Sequence, residues 1–384
     1  MSGRWPAAVR STAARPKHQP PLSILFCGSD HFSIASLRAL LEARREDPRL
    51  IQSIHVVHRP AKPTGRGLKT LREVPIAPFA ASRSLPTHQL DTFTGWTPPV
   101  PISLIVAVSF GLLIPPRVLS LSTYGGLNLH PSLLPDLRGP APIQQAILRG
   151  HDYTGVSVQT LHPHKYDYGK ILKQTPPPGT PIAPDATAQD LTEELAESGA
   201  SMLVDVIKSR RYCAPVPPKG YGWYKGPITR TGRISSRDQM IGFRKHTLDH
   251  VLRVQRALGE PWAETSDGER VILHKIVEAH QVGADDSLTA PKGFFVQQGV
   301  DYPLFKMQDG KRGASLESTF AGGKKGMGNA KLMQKLTQEG RVAGKRESLL
   351  AKRESILAKR ESILAKRNKG MGNADVTQKL TATT

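Results

Sequence analysis

Apolar positions arrive along this chain in two rhythms. Leu22-Ser23-Ile24-Leu25-Phe26-Cys27 is a short apolar run closed by Gly28-Ser29-Asp30. Ile34, Leu37, Leu40 and Leu41 then recur at steps of three and four, the spacing of one helix face. Ile54-His55-Val56-Val57 completes a strand–helix–strand unit, which predicts a parallel sheet with helices on its faces. The stretch from Ile102 to Phe110 is almost continuously apolar, as a strand buried on both faces must be. Pro142 suits a first helical position, with Ile143, Ala146 and Ile147 turned inward and Gly150 as a stop. Val156, Val158 and Thr160 alternate as a further strand. Thr187 with Asp190 forms a helix cap ahead of Leu191, Leu195, Met202, Leu203 and Val206. The pattern predicts an α/β, parallel-sheet domain over residues 21–212.

Beyond it the rhythm shortens. Residues 213–230 are rich in proline and read as a linker. Ser236 and Gln239 suit a capping box before a helix carrying Phe243, Val251, Leu252 and Leu258. Arg270–Leu273 and Gly293–Val296 are strand-like, so residues 231–320 are expected to form a smaller, barrel-like β domain. From 321 to 384 the pattern is a repeat. Lys324-Lys325-Gly326-Met327-Gly328-Asn329-Ala330 returns as Asn368-Lys369-Gly370-Met371-Gly372-Asn373-Ala374, and between them Lys-Arg-Glu-Ser-Leu/Ile-Leu-Ala recurs every seven residues. Three short heptads are marginal for a coiled coil, so a mostly disordered basic tail is expected.

Charge narrows the class of partner. The 384 residues carry a formal net charge of +21, of which the tail supplies a large part, with fifteen Lys/Arg against five Asp/Glu. A polyanion, nucleic acid before a membrane surface, is the implied partner. No run of eighteen apolar residues occurs, so no membrane span is expected. Cys27 and Cys213 alone cannot make a disulfide framework or a cysteine-rich zinc site, which fits a reducing compartment. The leader, residues 1–20, holds Arg4, Arg10, Arg15 and Lys17, and no acid precedes Asp30; it resembles a mitochondrial transit peptide.

Three places carry candidate chemistry. In Asn128-Leu129-His130-Pro131-Ser132-Leu133-Leu134-Pro135 an amide and an imidazole two residues apart point the same way, beside a loop stiffened by two prolines. Asp167 arrives on a separate loop after the next strand. Amide, imidazole and carboxylate together suit acyl transfer, in which the first two stabilise an oxyanion and the third manages the proton of an attacking amine. Ser132 lacks the glycine-flanked elbow of a nucleophile. A lone histidine in a loop is more often structural, and that alternative stays open on these residues alone. His162 and His164 share a face but have no evident third ligand, so no metal is expected. The segment Arg59 to Lys69, with two prolines, two glycines and four basic residues, is either an arm reaching phosphates or a solvated loop.

The Asn128–Pro135 stretch, followed by Arg138-Gly139-Pro140-Ala141-Pro142-Ile143, resembles the signature of the 10-formyltetrahydrofolate-dependent formyltransferases, and Asp167-Tyr168-Gly169 falls where that family carries its catalytic aspartate. The likeness covers roughly residues 22–212. It implies a Rossmann-like fold, Asn128, His130 and Asp167 as catalytic residues, Ser132, Leu133, Leu134 and Pro135 lining the folate cleft, and 10-formyltetrahydrofolate as co-substrate. Lys170 departs from the pattern, where relatives more often carry an acid; a cation close to Asp167 would lower its pKa. Within the family, the long C-terminal extension resembles the OB-type barrel domain of the methionyl-tRNA formyltransferases. The basic loop resembles their insertion into the acceptor arm, with Arg66 at the position credited with recognising the acceptor end and Lys62 and Lys69 beside it. The implied partner is initiator methionyl-tRNA, the implied place the mitochondrial matrix, and the implied state a monomer. The rivals are a formyltransferase for a small amine such as glycinamide ribonucleotide, and a non-catalytic RNA-binding protein on the same fold.

Overall fold

The computed structural model describes residues 20–344, apart from 65, 66, 68, 214, 218 and 219. The leader up to residue 19, Arg66 and the heptad repeats from Lys345 lie outside the described residues. The chain divides into two compact units, one made of residues through Gln239 with Arg253–Gly259, the other of Met240–Leu252 with Glu260 onward.

In the first unit the opening run becomes β1 (Leu22–Gly28), and Asp30 caps α1 (His31–Glu46) by accepting the Ser33 amide N–H at 3.0 Å. Then come β2 (Ile51–His58), the hairpin β3 (Lys62–Thr64) and β4 (Thr70–Arg72), α2 (Ile76–Ser82) and β5 (Thr87–Gln89). They are followed by β6 (Leu104–Val108), α3 (Pro116–Leu119), β7 (Gly126–His130) and α4 (Pro142–Arg149). The unit continues with β8 (Tyr153–Thr154), β9 (Ser157–Thr160), β10 (Ile171–Gln174), β11 (Thr180–Pro181) and α5 (Ala188–Lys208). Seven strands make one sheet in the order β10-β9-β7-β6-β1-β2-β5. β5, β2, β1, β6 and β7 run parallel, as the apolar runs predict, whereas β9 is antiparallel to β7 and β10 antiparallel to β9. Alternation along β1 sends Leu22, Ile24 and Phe26 into a core shared with α1 and α5, while Leu25 and Cys27 enter a second core with Phe93, Phe110 and Val118. Burial pushes the Cys27 thiol far above its ordinary pKa. The α4 and α5 readings hold: Gly150 ends α4 in a left-handed conformation, and Thr187 and Asp190 cap each other.

The expected linker is not a free segment. The Tyr221 amide donates to the Ile171 carbonyl at 2.7 Å, Trp223 Nε1 to the Thr175 carbonyl at 2.6 Å, and the Thr229 amide to Asp136 Oδ1 at 2.8 Å. Proline excludes regular structure but leaves carbonyls and side chains free to dock along an open edge.

The second unit holds the sheet β12 (Trp262–Glu264), β13 (Arg270–Glu278), β14 (Gly293–Phe295), β15 (Leu304–Lys306) and β16 (Arg312–Phe320), antiparallel in the order β12-β13-β16-β15-β14. Ser236–Gln239 is only a 3₁₀ turn, and the helix α6 (Leu248–Leu258) begins nine residues after Gln239, so the pair does not open that helix; Gln239 Nε2 instead donates to the carbonyl of its last residue, Leu258, at 3.1 Å. The boundary drawn at 321 also moves. Gly328–Gln338 forms α7, whose Leu332 and Leu336, one turn apart, are buried in this unit's core. Asn329 pins its start by donating to the carbonyls of Ser315 and Leu316, both at 2.9 Å. Lys325, Lys331 and Lys335, counted with the basic tail, are instead ion-paired to Glu260, Glu269 and Asp267.

Candidate active site

Asn128 and His130 lie on the last strand of the parallel set, on the same side because they are two apart. The antiparallel partner β9 brings Gln159 opposite Asn128 and Ser157 opposite His130. Gln159, 1% exposed, donates from Nε2 to Asn128 Oδ1 at 2.9 Å and to Asp167 Oδ1 at 3.3 Å, while its Oε1 accepts the Gly169 amide at 3.0 Å. Asn128 Nδ2 donates to the Ala107 carbonyl at 3.1 Å. With Oδ1 held by Gln159, the amide has one orientation and one hydrogen left for a ligand.

His130 is 5% exposed. Its Nε2 lies 3.0 Å from the Leu137 carbonyl, which can only accept, so Nε2 carries a proton. Nδ1 faces Asp167 Oδ1 at 3.4 Å, where a second proton would form an ion pair. Asp167 Oδ2 also accepts the Gly139 amide N–H at 2.9 Å, and the Asp167 carbonyl accepts Arg138 Nε at 2.8 Å. The loop reaches Asp167 under strain. Ser109, Leu137, Ala141 and Asp167 all have left-handed backbones, with φ of 48°, 53°, 58° and 58°. Such residues persist where their surroundings over-determine them, often at active sites.

Asn128, His130 and Asp167 are thus brought together, with the carboxylate from the separate loop facing the imidazole at 3.4 Å. Lys170 is turned away; its Nζ donates to the Val216 carbonyl at 3.2 Å. The cleft-lining set fares differently. Ser132, Leu133 and Leu134 are buried, Ser132 Oγ donates to the Asp136 carbonyl at 2.7 Å, and Pro135 is half-buried. His162 Nδ1 accepts the amide N–H groups of His164 and Lys165, both at 3.1 Å, and pins the loop before Asp167. Lys62 and Lys69 are exposed on the β3–β4 hairpin and its connection. Gln159 escaped sequence reasoning. The one signal was its place in the alternation of β9, two residues beyond Ser157 and opposite Asn128.

The formyl transferase family matches residues 22–207. The mitochondrial methionyl-tRNA formyltransferase of Homo sapiens is 33% identical over 301 residues, which cover 75% of this chain and 72% of that one. The Bos taurus protein of the same name is 33% identical over 271 residues, covering 67% of this chain; the chain spans only 64% of that relative's length. Among solved structures, the sugar 3N-formyl transferase WlaRD shares the fold with a TM-score of 0.51 at 18% identity, over 77% of this chain and 98% of that one.

Proposed function

Because this chain belongs to the formyl transferase family, we propose that it moves a formyl group from 10-formyltetrahydrofolate to the α-amine of methionine esterified to initiator tRNA. The observation that carries this reading is the single hydrogen-bonded cluster of Asn128, Gln159, Asp167 and His130 at the end of β7. Its donor set fits an acyl group that gains negative charge on oxygen and loses a proton from nitrogen. The folate supplies the formyl carbon, and the crevice beyond the carboxyl ends of β6 and β7 is where a parallel sheet receives a ligand. The remaining amide hydrogen of Asn128 is placed to donate to the formyl oxygen as charge develops. His130 Nε2 already donates to the Leu137 carbonyl and Nδ1 faces Asp167, so the ring orients that carboxylate rather than hydrogen-bonding the formyl oxygen directly. Asp167 takes the proton of the attacking amine, directly or through one water; as the tetrahedral intermediate collapses, the bond from the formyl carbon to folate N10 breaks and that nitrogen takes up the proton, leaving tetrahydrofolate.

The acceptor assignment rests on the methionyl-tRNA formyltransferases that this chain resembles, on the charge of +21, and on the exposed Lys62 and Lys69 of the hairpin arm. Arg66, between them in sequence, is proposed to join them in recognising the acceptor end. The antiparallel second unit is read as the OB-type domain that helps hold the tRNA, and the enzyme as a monomer of the mitochondrial matrix. The test is formyl transfer from labelled 10-formyltetrahydrofolate with charged initiator tRNA and glycinamide ribonucleotide in competition. Label on the tRNA supports the reading. Label on the ribonucleotide alone, or on neither, overturns it.

A further inference from the structure

We infer that Arg138, Arg230 and Lys165, gathered round the ring of Tyr168, form an anion subsite for a phosphate of the acceptor next to the catalytic carboxylate. This inference rests on the tRNA acceptor proposed above and adds where its end is gripped. Arg138 and Arg230 are paired in a parallel bridge, and the Thr231 amide donates to the Arg138 carbonyl at 2.8 Å. The two segments approach so closely that a Cβ on Gly139 would lie 2.6 Å from the Thr231 carbonyl oxygen. Two arginines side by side repel each other, and a fold tolerates that more easily when a counter-charge is supplied. Among the described residues none of Arg138, Arg230 and Lys165 makes an ion pair with a carboxylate.

The aromatic ring supplies the geometry. The Arg138 guanidinium lies 3.9 Å from the Tyr168 ring centroid, with Lys165 Nζ at 5.4 Å and the Arg230 guanidinium at 5.7 Å. Arg230 Nη2 also donates to the Tyr168 hydroxyl. Arg149 Nη2 donates to the Arg230 carbonyl at 3.1 Å, so the backbone that carries Arg230 is held as well. Two carboxylates lie on neighbouring backbone and both are engaged elsewhere: Asp167, the residue before Tyr168, with Gly139, Gln159 and His130, and Asp136 with the amide and hydroxyl of Thr229. The missing charge is therefore external. A guanidinium stacked on a ring, with two further cations beside it, suits a phosphodiester, because phosphate takes the guanidinium fork. A folate carboxylate offers the same anionic chemistry, and the experiment separates the two.

Arg230 and Lys165 are exposed, so Arg230→Gln and Lys165→Gln test the site without touching the Arg138–Asp167 bond. With full-length enzyme, each is expected to raise KM for charged initiator tRNA by on the order of fivefold and to flatten its log–log salt dependence by about 1, with kcat and the KM for 10-formyltetrahydrofolate held within about twofold. Tyr168→Phe should keep the stacked arginine and show a smaller rise. Unchanged KM and salt slope for tRNA in both variants would overturn the subsite, as would a rise confined to the folate KM. A wild-type enzyme that formylates a small amine but never the tRNA would instead refute the acceptor reading itself.

Discussion

Gln159 stands opposite Asn128 in the β7–β9 ladder and donates to its Oδ1 at 2.9 Å, while the same nitrogen reaches Asp167 Oδ1 at 3.3 Å. One buried amide therefore fixes two candidate catalytic groups from two different elements. Replacing it with leucine leaves the Asn128 carbonyl unpaired and its amide free to rotate, at a cost of roughly 1–3 kcal/mol for an unsatisfied buried group. Gln159→Leu is expected to lower kcat by about tenfold to a hundredfold with KM for tRNA little changed. Turnover within twofold of wild type would reduce Gln159 to a packing residue.

Asn128 and His130 should behave differently from Gln159, since Asn128 donates to the reacting group and His130 bears directly on the carboxylate that takes its proton. Loss of a preorganised oxyanion donor costs on the order of a hundredfold to a thousandfold in kcat. Asn128→Ala and His130→Ala should each fall in that range while binding tRNA almost normally in a filter or fluorescence titration. Near-wild-type turnover by either variant removes that residue from the catalytic set.

Much of this site was legible in the sequence because its parts follow rules of spacing. Asn128 and His130 share a face since strands alternate, and the long apolar run at 102–110 marks the sheet that positions them. Asp167 was legible only as a residue on another loop; its approach to His130 depends on left-handed backbones at Leu137, Ala141 and Asp167 itself, which no local pattern announces. The linker misread has a similar cause. Pro215 and Pro227 exclude helix and strand, yet say nothing of side chains such as Trp223 that dock the segment. The tail was misread at its start for a different reason. The lysines near α7 look like a uniform basic run, and only folding reveals that Lys325, Lys331 and Lys335 have acids facing them.

Gly169 tests the loop that delivers Asp167. A Cβ there would lie 1.6 Å from the Thr160 carbonyl oxygen, and backbone cannot yield as a flexible side chain does. Overpacking of this kind costs roughly 1–3 kcal/mol or more. Gly169→Ala is expected to lower the melting temperature by several degrees and kcat by more than tenfold, because the Gly169 amide is also a donor to Gln159. A variant that melts like wild type would show that the loop can move aside without loss.

The acid response of the second unit should centre on Lys335. Its ammonium pairs with Asp267 and, at 2.8 Å, with Glu269. Lys335 with Thr265 holds the Asp267 carboxyl at about 2, against an ordinary value of 3.8, and Lys331 and Lys335 push Glu269 down as well. A carboxylate with a depressed pKa favours the folded state above its ordinary pKa, and that contribution fades as pH falls toward the depressed value. The docking of α7 should therefore weaken between about pH 4.5 and pH 2. The same carboxylates raise the Lys335 pKa, so the ammonium stays charged throughout this window and the loss comes from the carboxylates alone. Hydrogen exchange of the amides in Gly328–Gln338 gives the measurement. Wild type should lose protection progressively across that window, whereas Lys335→Met should begin with less protection at pH 7 and change less on acidification. Parallel loss in both proteins would mean that the acid response arises outside the Lys335 pairs, with those pairs screened to irrelevance.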